Sequence, residues 1–203
     1  MSAILPYRLI RTRFATAGDF TAPAPASDED ILLAHDPQWV SKLRSGTLTY
    51  QDILRLEIPY SRQMVEAFWL AAGGTILAAR LALETGVGFN LGGGFHHAFP
   101  DHGEGFCAIN DMAVAIRRLQ RDGAIRRAMV VDCDVHHGNG TAAISPATIP
   151  CSRSPFTSST IIRPRSLPRA WTFTWRTGLA MRSISSGWGT RTARHWRCSS
   201  RSW

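Results

Sequence analysis

Two histidine-rich segments, GGGFHHAFPDHGEGFCAIN at 92–110 and DCDVHHGNGT at 132–141, each follow a short apolar run that reads as a buried strand. The runs are 87–91 and 128–131, and between them Asn110 and Asp111 open a helical stretch to about Arg121, ended by Gly123. Strand, loop, helix and strand, with a crossover of helix length, predict a βαβ unit and a parallel sheet. Ligands of open parallel sheets bind beyond the carboxyl ends of the strands, where both histidine pairs fall. The expected fold class is therefore α/β.

The amino-terminal half reads as helices. Ser27 and Asp30 form an S-x-x-D pattern that predicts a short helix over 28–34. Asp36 caps a second helix with Pro37 in its first position, and Gly46 stops it. Thr49 caps a turn through Leu54, and Ser61 starts the longest helix, over 62–84, which Gly86 ends. Gly73 and Gly74 are costly in mid-helix and predict close packing on a neighbour. Residues 1–10 are too short and too interrupted by Pro6 and Arg8 for a signal peptide. No stretch is expected to span a bilayer, which needs roughly 18–20 apolar residues. Cys107, Cys133, Cys151 and Cys198 show no CxxC spacing, so reduced thiols and a cytoplasmic location are expected.

The net charge of +8 is unevenly placed. Residues 145–203 hold ten Arg and no acid, while the first 144 residues carry thirteen bases against fifteen acids. Any attraction to nucleic acid or an acidic membrane thus belongs to the tail, and the body is nearly neutral. The tail also holds five of the seven tryptophans and lacks any sustained helix or strand period. The chain divides accordingly into a body over 1–144 and a tail over 145–203. Three readings of the tail compete: a disordered basic arm, a nucleic-acid-binding segment, or translation in a shifted reading frame. Enrichment in Arg, Ser, Pro and Trp fits the shifted frame of a GC-rich gene best.

Asp134 and His136 stand two residues apart, so on extended backbone both side chains share one side. A carboxylate oxygen and an imidazole nitrogen so placed are good ligands for one zinc. Asp132, one pleat earlier, faces the same side and can orient an imidazole. His96 and His97 follow three glycines, which let backbone pass close to a ligand or another strand. Two imidazoles beside a metal-bound water can take its proton and shield the developing charge. The Asn139 amide can hold one of these histidines in place. The plainer alternatives are a polar turn at a strand end and histidines satisfied within a core. Phe106 walls an apolar channel or packs in the core, and Cys107 reads as buried rather than nucleophilic. His102 and Glu104 read as solvated loop residues, and His35 and Trp39 as structural.

Together these segments resemble the zinc-dependent histone deacetylase family, which includes bacterial acetoin-utilization and acetylpolyamine deacetylases. The resemblance runs from about Leu5 to Ile144 through Ala34-His35-Asp36-Pro37, Gly73-Gly74-Thr75, GGGFHHA, GFCAIND and DCDVHHGNGT. The wording GGT-I and N-x-GGGFHH is most similar to class-four members and their bacterial relatives. The resemblance implies a three-layer α/β/α fold with a mostly parallel sheet, of the arginase/deacetylase type. It implies that Asp134 and His136 bind zinc, that His97 is the general base and acid, and that His96 is its electrostatic partner. Asp132 would pair with His96 and Asn139 with His97. Many family members have Asp where Asn139 stands, so charge support for His97 is expected to be weaker here. Gly105 and Phe106 would line the acyl-lysine tunnel. Gly138 replaces the last acid of the two-metal D-x-H-x-D pattern, so one metal is expected, with a potassium ion near Asp132 and Asp134 as a further family expectation.

The sequence also departs from that pattern. The family's third zinc ligand, an aspartate in a later G-x-D motif, has no counterpart, because no acid follows Asp134. The family's catalytic tyrosine has none either, because Tyr60 is the last tyrosine. The expectation is a deacetylase by ancestry, acting on acetyl-lysine or an acetylated amine, inactive as these 203 residues stand. The alternatives are an acetylpolyamine-type small-molecule deacetylase and a non-enzymatic fragment whose basic tail binds nucleic acid.

Overall fold

Capping residues cut the amino-terminal half into short helices around one long one. The computed structural model describes residues 4–145 and the backbone of 148–154, 157–162 and 173–174. Its helices are α1 (Ile4–Arg11), α2 (Asp28–Ile31), α3 (Pro37–Ser45), α4 (Tyr50–Leu56), α5 (Arg62–Thr85), α6 (Asp111–Arg121) and α7 (Asn139–Ile144). Its strands are β1 (Val130–Val131), β2 (Thr148–Ser154), β3 (Thr157–Ile162) and β4 (Phe173–Thr174).

The helix ends obey the local signals. Ser27 with Asp30 and Thr49 with Asp52 close reciprocal capping boxes at α2 and α4. Ser61 and Asn110 accept from the third backbone N–H of α5 and α6. Gly46 and Gly86 end α3 and α5 in the left-handed region, at φ 73° and 92°. Helix α2 stops at Ile31 rather than 34, and 32–34 continue as a turn.

The core gathers around α5, whose Phe68, Trp69 and Ile76 pack with Leu43, Leu56 and Val114. Gly73 has the tight contact its position predicts: a Cβ there would lie 1.9 Å from the Ala24 carbonyl oxygen. By length and composition alone the 24 residues of α5 could cross a membrane, contrary to expectation. Half of its most apolar window is buried inside the protein, as in a core helix.

His35, in the turn before α3, and Trp39, on α3 itself, fasten this region to the loop that bears the histidines. Trp39 Nε1 donates to the Ala108 carbonyl at 2.9 Å, and His35 Nδ1 donates to the Phe99 carbonyl at 2.9 Å. His35 Nε2 accepts from the Asn110 amide at 3.0 Å. Both ring nitrogens are therefore used by the neutral imidazole, and burial pushes its pKa down to about 4.

The strands differ from expectation. Residues 87–91 form no strand, and β1 covers only the last two residues of the predicted 128–131. Instead of joining a ladder, Asn90 donates from Nδ2 to the Ala71 carbonyl at 2.9 Å and to Thr75 Oγ1 at 2.7 Å. The segment is thereby laid along α5, with Gly88 tight against the Ala78 carbonyl and Val87 at the surface. The sheet of described strands has the order β2-β3-β1-β4. β2 and β3 pair antiparallel, β3 and β1 antiparallel, and only β1 with β4 parallel, so this sheet is mixed rather than mostly parallel. The tail, expected to hold no regular element, contributes β2, β3 and β4. The Thr and Ile of 157–162 are β-branched, which suits them to a strand. The other tail residues lie outside the described residues, and so do the expectations of disorder, nucleic-acid binding or a shifted frame there.

Unfolding frees His35 to take a proton at an ordinary pKa near 6.5, whereas in the fold it resists protonation until about 4. Its contribution is full above pH 6.5 and is lost as the pH falls towards about 4, on the order of 3 kcal/mol in all. Urea unfolding across this range should show the loss, and His35→Gln should flatten that part of the profile. An unchanged pH slope in His35→Gln would contradict the assignment.

Candidate metal centre and its histidine pair

A run of three glycines cannot fix its own path, and here a buried carboxylate does so. Asp111, the first residue of α6, is fully enclosed. Its Oδ1 accepts from the Phe95 amide at 2.8 Å and the Gly94 amide at 3.0 Å. Its Oδ2 accepts from Thr75 Oγ1 on α5 at 2.5 Å. Burial pushes the Asp111 carboxyl above the usual range, against the pull of these donors. Gly93 makes the approach possible, since a Cβ there would lie 2.3 Å from Asp111 Oδ2. In the sequence Asp111 reads only as a helix start. The glycine amide that it holds lies 17 residues earlier, so nothing local to Asp111 marks the contact.

The loop then delivers both imidazoles. His96 is buried, and its Nδ1 lies 2.6 Å from Asp132 Oδ2, just beyond β1. His97 Nδ1 lies 2.7 Å from Asn139 Oδ1, at the start of α7. The Thr141 amide donates to the His96 carbonyl at 3.0 Å, tying α7 to the same loop. The two rings sit 4.1 Å apart between centroids, tilted by 58°. Burial pulls the His96 imidazole down, but its hydrogen bond to Asp132 and the charges of Asp132, Asp134 and Asp111 outweigh that and hold it above its ordinary value.

Asp134 and His136 come together by a route other than the expected extended strand. The chain leaves β1 at Val131 and bends at 135–136. Asp132 Oδ1 accepts from the Asp134 amide at 2.9 Å, and Asp134 Oδ1 accepts from the His136 amide at 2.7 Å. These are two successive turns in which an aspartate bonds the backbone two residues on. They bring His136 Nδ1 within 2.9 Å of Asp134 Oδ1. Burial raises the Asp134 carboxyl, and the hydrogen bonds from His136 more than reverse this, so its pKa lies below the ordinary carboxylate range. His96 Nε2 faces the same oxygen at 4.0 Å, and the His136 ring meets His97 at 6.0 Å between centroids. A cavity of about 150 Å³ borders Gly93, His96, Asp132 and Asp134.

The donor set fits a zinc half-site: one ionised carboxylate and one imidazole converge, both side chains reachable from solvent. Among the described residues, no group of three or more His, Cys, Asp or Glu side chains is placed to hold a metal ion.

Gly105 and Phe106 form a tight turn beside His97. Their amides donate to the Arg55 and Leu56 carbonyls at 3.1 and 3.0 Å. Gly105 leaves room for the His97 ring, which a Cβ would approach to 2.9 Å, and Phe106 is surface-exposed rather than packed in the core. Cys107 is buried, and burial pushes its thiol up to about 12, which keeps it protonated. His102 and Glu104 are not merely solvated. His102 stacks on Phe99 at 4.5 Å, and Glu104 Oε1 accepts from Asn139 Nδ2 at 2.9 Å.

The histone deacetylase domain profile matches residues 3–149 of the chain. An uncharacterised protein of Picosynechococcus is 48% identical over 112 residues, covering 55% of this chain and 37% of that protein. Histone deacetylase 2 of Arabidopsis thaliana is 33% identical over 138 residues, covering 65% and 36%. A crystal structure of a histone deacetylase homologue from Aquifex aeolicus superposes with a TM-score of 0.60 at 30% identity, covering 69% of this chain and 40% of that one. The chain thus spans about two-fifths or less of the length of these relatives.

Asp111→Asn would replace one acceptor oxygen with an N–H₂ group facing other donors, at a cost of about 1–3 kcal/mol. Chemical denaturation should show that loss, and an unfolding midpoint equal to that of the parent would contradict the anchor.

Proposed function

Because the chain belongs to the histone deacetylase family, we propose that its site is built for zinc-dependent hydrolysis of an acetyl amide, with acetyl-lysine or an acetylated amine as substrate. The observation that carries this is the pair of differently held imidazoles, His96 on Asp132 and His97 on Asn139, beside the convergent Asp134 and His136. Asp134 and His136 would hold the ion. When bound, zinc supplies a Lewis acid for the acyl carbonyl and lowers the pKa of water.

The rest is done by the chain's own side chains. His97, whose Nδ1 is engaged by Asn139, has Nε2 left to accept a proton and return it to the leaving amine. His96, paired with a buried carboxylate, supplies positive charge next to the reacting atoms. Phe106 and Gly105 would guide the acyl-bearing chain past His97. A three-layer arrangement around a longer parallel sheet rests on the family alone. A potassium ion near Asp132 and Asp134 rests on the family alone.

Among the described residues two metal donors converge, where a catalytic zinc takes three protein ligands. No acid follows Asp134 and no tyrosine follows Tyr60, so zinc binding without turnover is the expected behaviour of these 203 residues. Calorimetric titration with zinc should detect a site weakened at least about tenfold by Asp134→Ala or His136→Ala and left intact by Cys133→Ala. Equal affinity in all three variants would refute the ligand assignment. Hydrolysis of an acetyl-lysine peptide by the purified chain, abolished in His97→Ala, would refute the predicted inactivity.

A further inference from the structure

We propose that Glu104 is a positioning residue that sets the tautomer of His97 through the amide of Asn139. The inference rests on the reading of His97 as the proton acceptor. Three contacts define it: Asn139 Oδ1 lies 2.7 Å from His97 Nδ1 and 3.0 Å from the Gly140 amide, and Asn139 Nδ2 lies 2.9 Å from Glu104 Oε1.

A carboxylate can only accept, so the Asn139 group facing Glu104 must be its N–H₂. The amide oxygen then faces His97, which must present a donor, so Nδ1 carries the proton. Nε2 is left with its lone pair, as a proton acceptor requires. Turning the amide over would set its oxygen against the Glu104 carboxylate and its N–H₂ against the Gly140 N–H, both repulsive. Glu104 holds the nitrogen end and Gly140 the oxygen end of one switchable group.

Glu104 is itself well anchored. Its amide donates to the Cys107 carbonyl at 3.1 Å, and the Cys107 amide donates to the Glu104 carbonyl at 2.9 Å. The turn they close contains Gly105 and Phe106, and their amides bind it to the end of α4. Its other carboxylate oxygen, Oε2, is 3.8 Å from His102 Nε2, too far for a hydrogen bond to compete with Asn139. Were position 139 an aspartate, either carboxylate oxygen could accept from the histidine and no orienting partner would be needed. With Asn139, orientation becomes a separate task, which falls to Glu104 across 35 residues of sequence.

Two-bond ¹H–¹⁵N spectra of histidine-labelled, metal-free full chain, taken above the imidazole titration range, read the tautomer directly. His97→Gln assigns the signals. In the parent and in Glu104→Gln, which keeps an acceptor oxygen, His97 should be a single Nδ1–H species with a pyridine-like Nε2. Glu104→Leu should populate both tautomers, and Glu104→Lys, which only donates, should make Nε2–H the major form. Adding Asn139→Asp to Glu104→Leu should restore the Nδ1–H form. If Glu104→Leu fails to fold, the contrast between Glu104→Gln and Glu104→Lys decides the matter. An Nε2–H tautomer in the parent, or the parental tautomer in Glu104→Lys, would overturn the proposal and leave Gly140 as the orienting group. No metal or substrate is needed, so a chain that binds no zinc still answers this question, and a negative tautomer result leaves the zinc assignment untouched.

Discussion

The carboxylate of Asp111 decides where both histidines sit. Three consecutive glycines have more conformational freedom to lose than any other tripeptide, so an ordered path through them requires strong fixed contacts. Asp111 supplies two backbone contacts from a buried position at the head of α6. The packing of α6 against α5 puts it there, and Thr75 on α5 meets its second oxygen. Asn90 then binds Thr75, so one chain of hydrogen bonds links the long core helix to the loop that carries the chemistry. A site placed this way inherits the rigidity of the hydrophobic core rather than the mobility of a loop.

Two adjacent residues of one type acquire different chemistry from their partners. His96 is enclosed and bonded to a carboxylate, which favours its charged form despite burial. His97 is half-buried and bonded to a neutral amide, which fixes a ring nitrogen without adding a full charge. Neighbouring groups whose environments differ in this way can divide charge stabilisation from proton transfer. The successive turns from Asp132 through Asp134 to His136 add a third function, a convergent oxygen and nitrogen within reach of both rings.

What could be read from the sequence was what local chemistry determines. Caps at Ser27, Thr49, Ser61 and Asn110 and left-handed glycines at 46 and 86 mark helix ends, because each acts on backbone within a few residues. The tight approach behind Gly73 was legible for the same reason: glycine in mid-helix needs a neighbour to explain it. The clustering of His96, His97, Asp132, Asp134, His136 and Asn139 followed from two dense motifs. Strands were harder, because a ladder depends on partners remote in sequence. The apolar run at 87–91 has the right composition, yet Asn90 fastens it to α5 instead. Glu104 gave no local sign of its contact with Asn139, since that bond is made only when its loop meets the start of α7.

If Asp111 is the fixed point of the site, the amides of Gly94 and Phe95 lie in a loop but behave as core. Native-state hydrogen exchange measured residue by residue on the full chain tests this without any substitution, metal or substrate. The account predicts that these two amides exchange as slowly as the buried amides of α5, while the neighbouring Gly92 amide, held by the Asn90 side chain at the surface, exchanges much faster. Exchange of Gly94 and Phe95 at the rate of Gly92 would show that the glycine loop is not held by the buried carboxylate, and the pre-formed histidine pair would lose its physical basis.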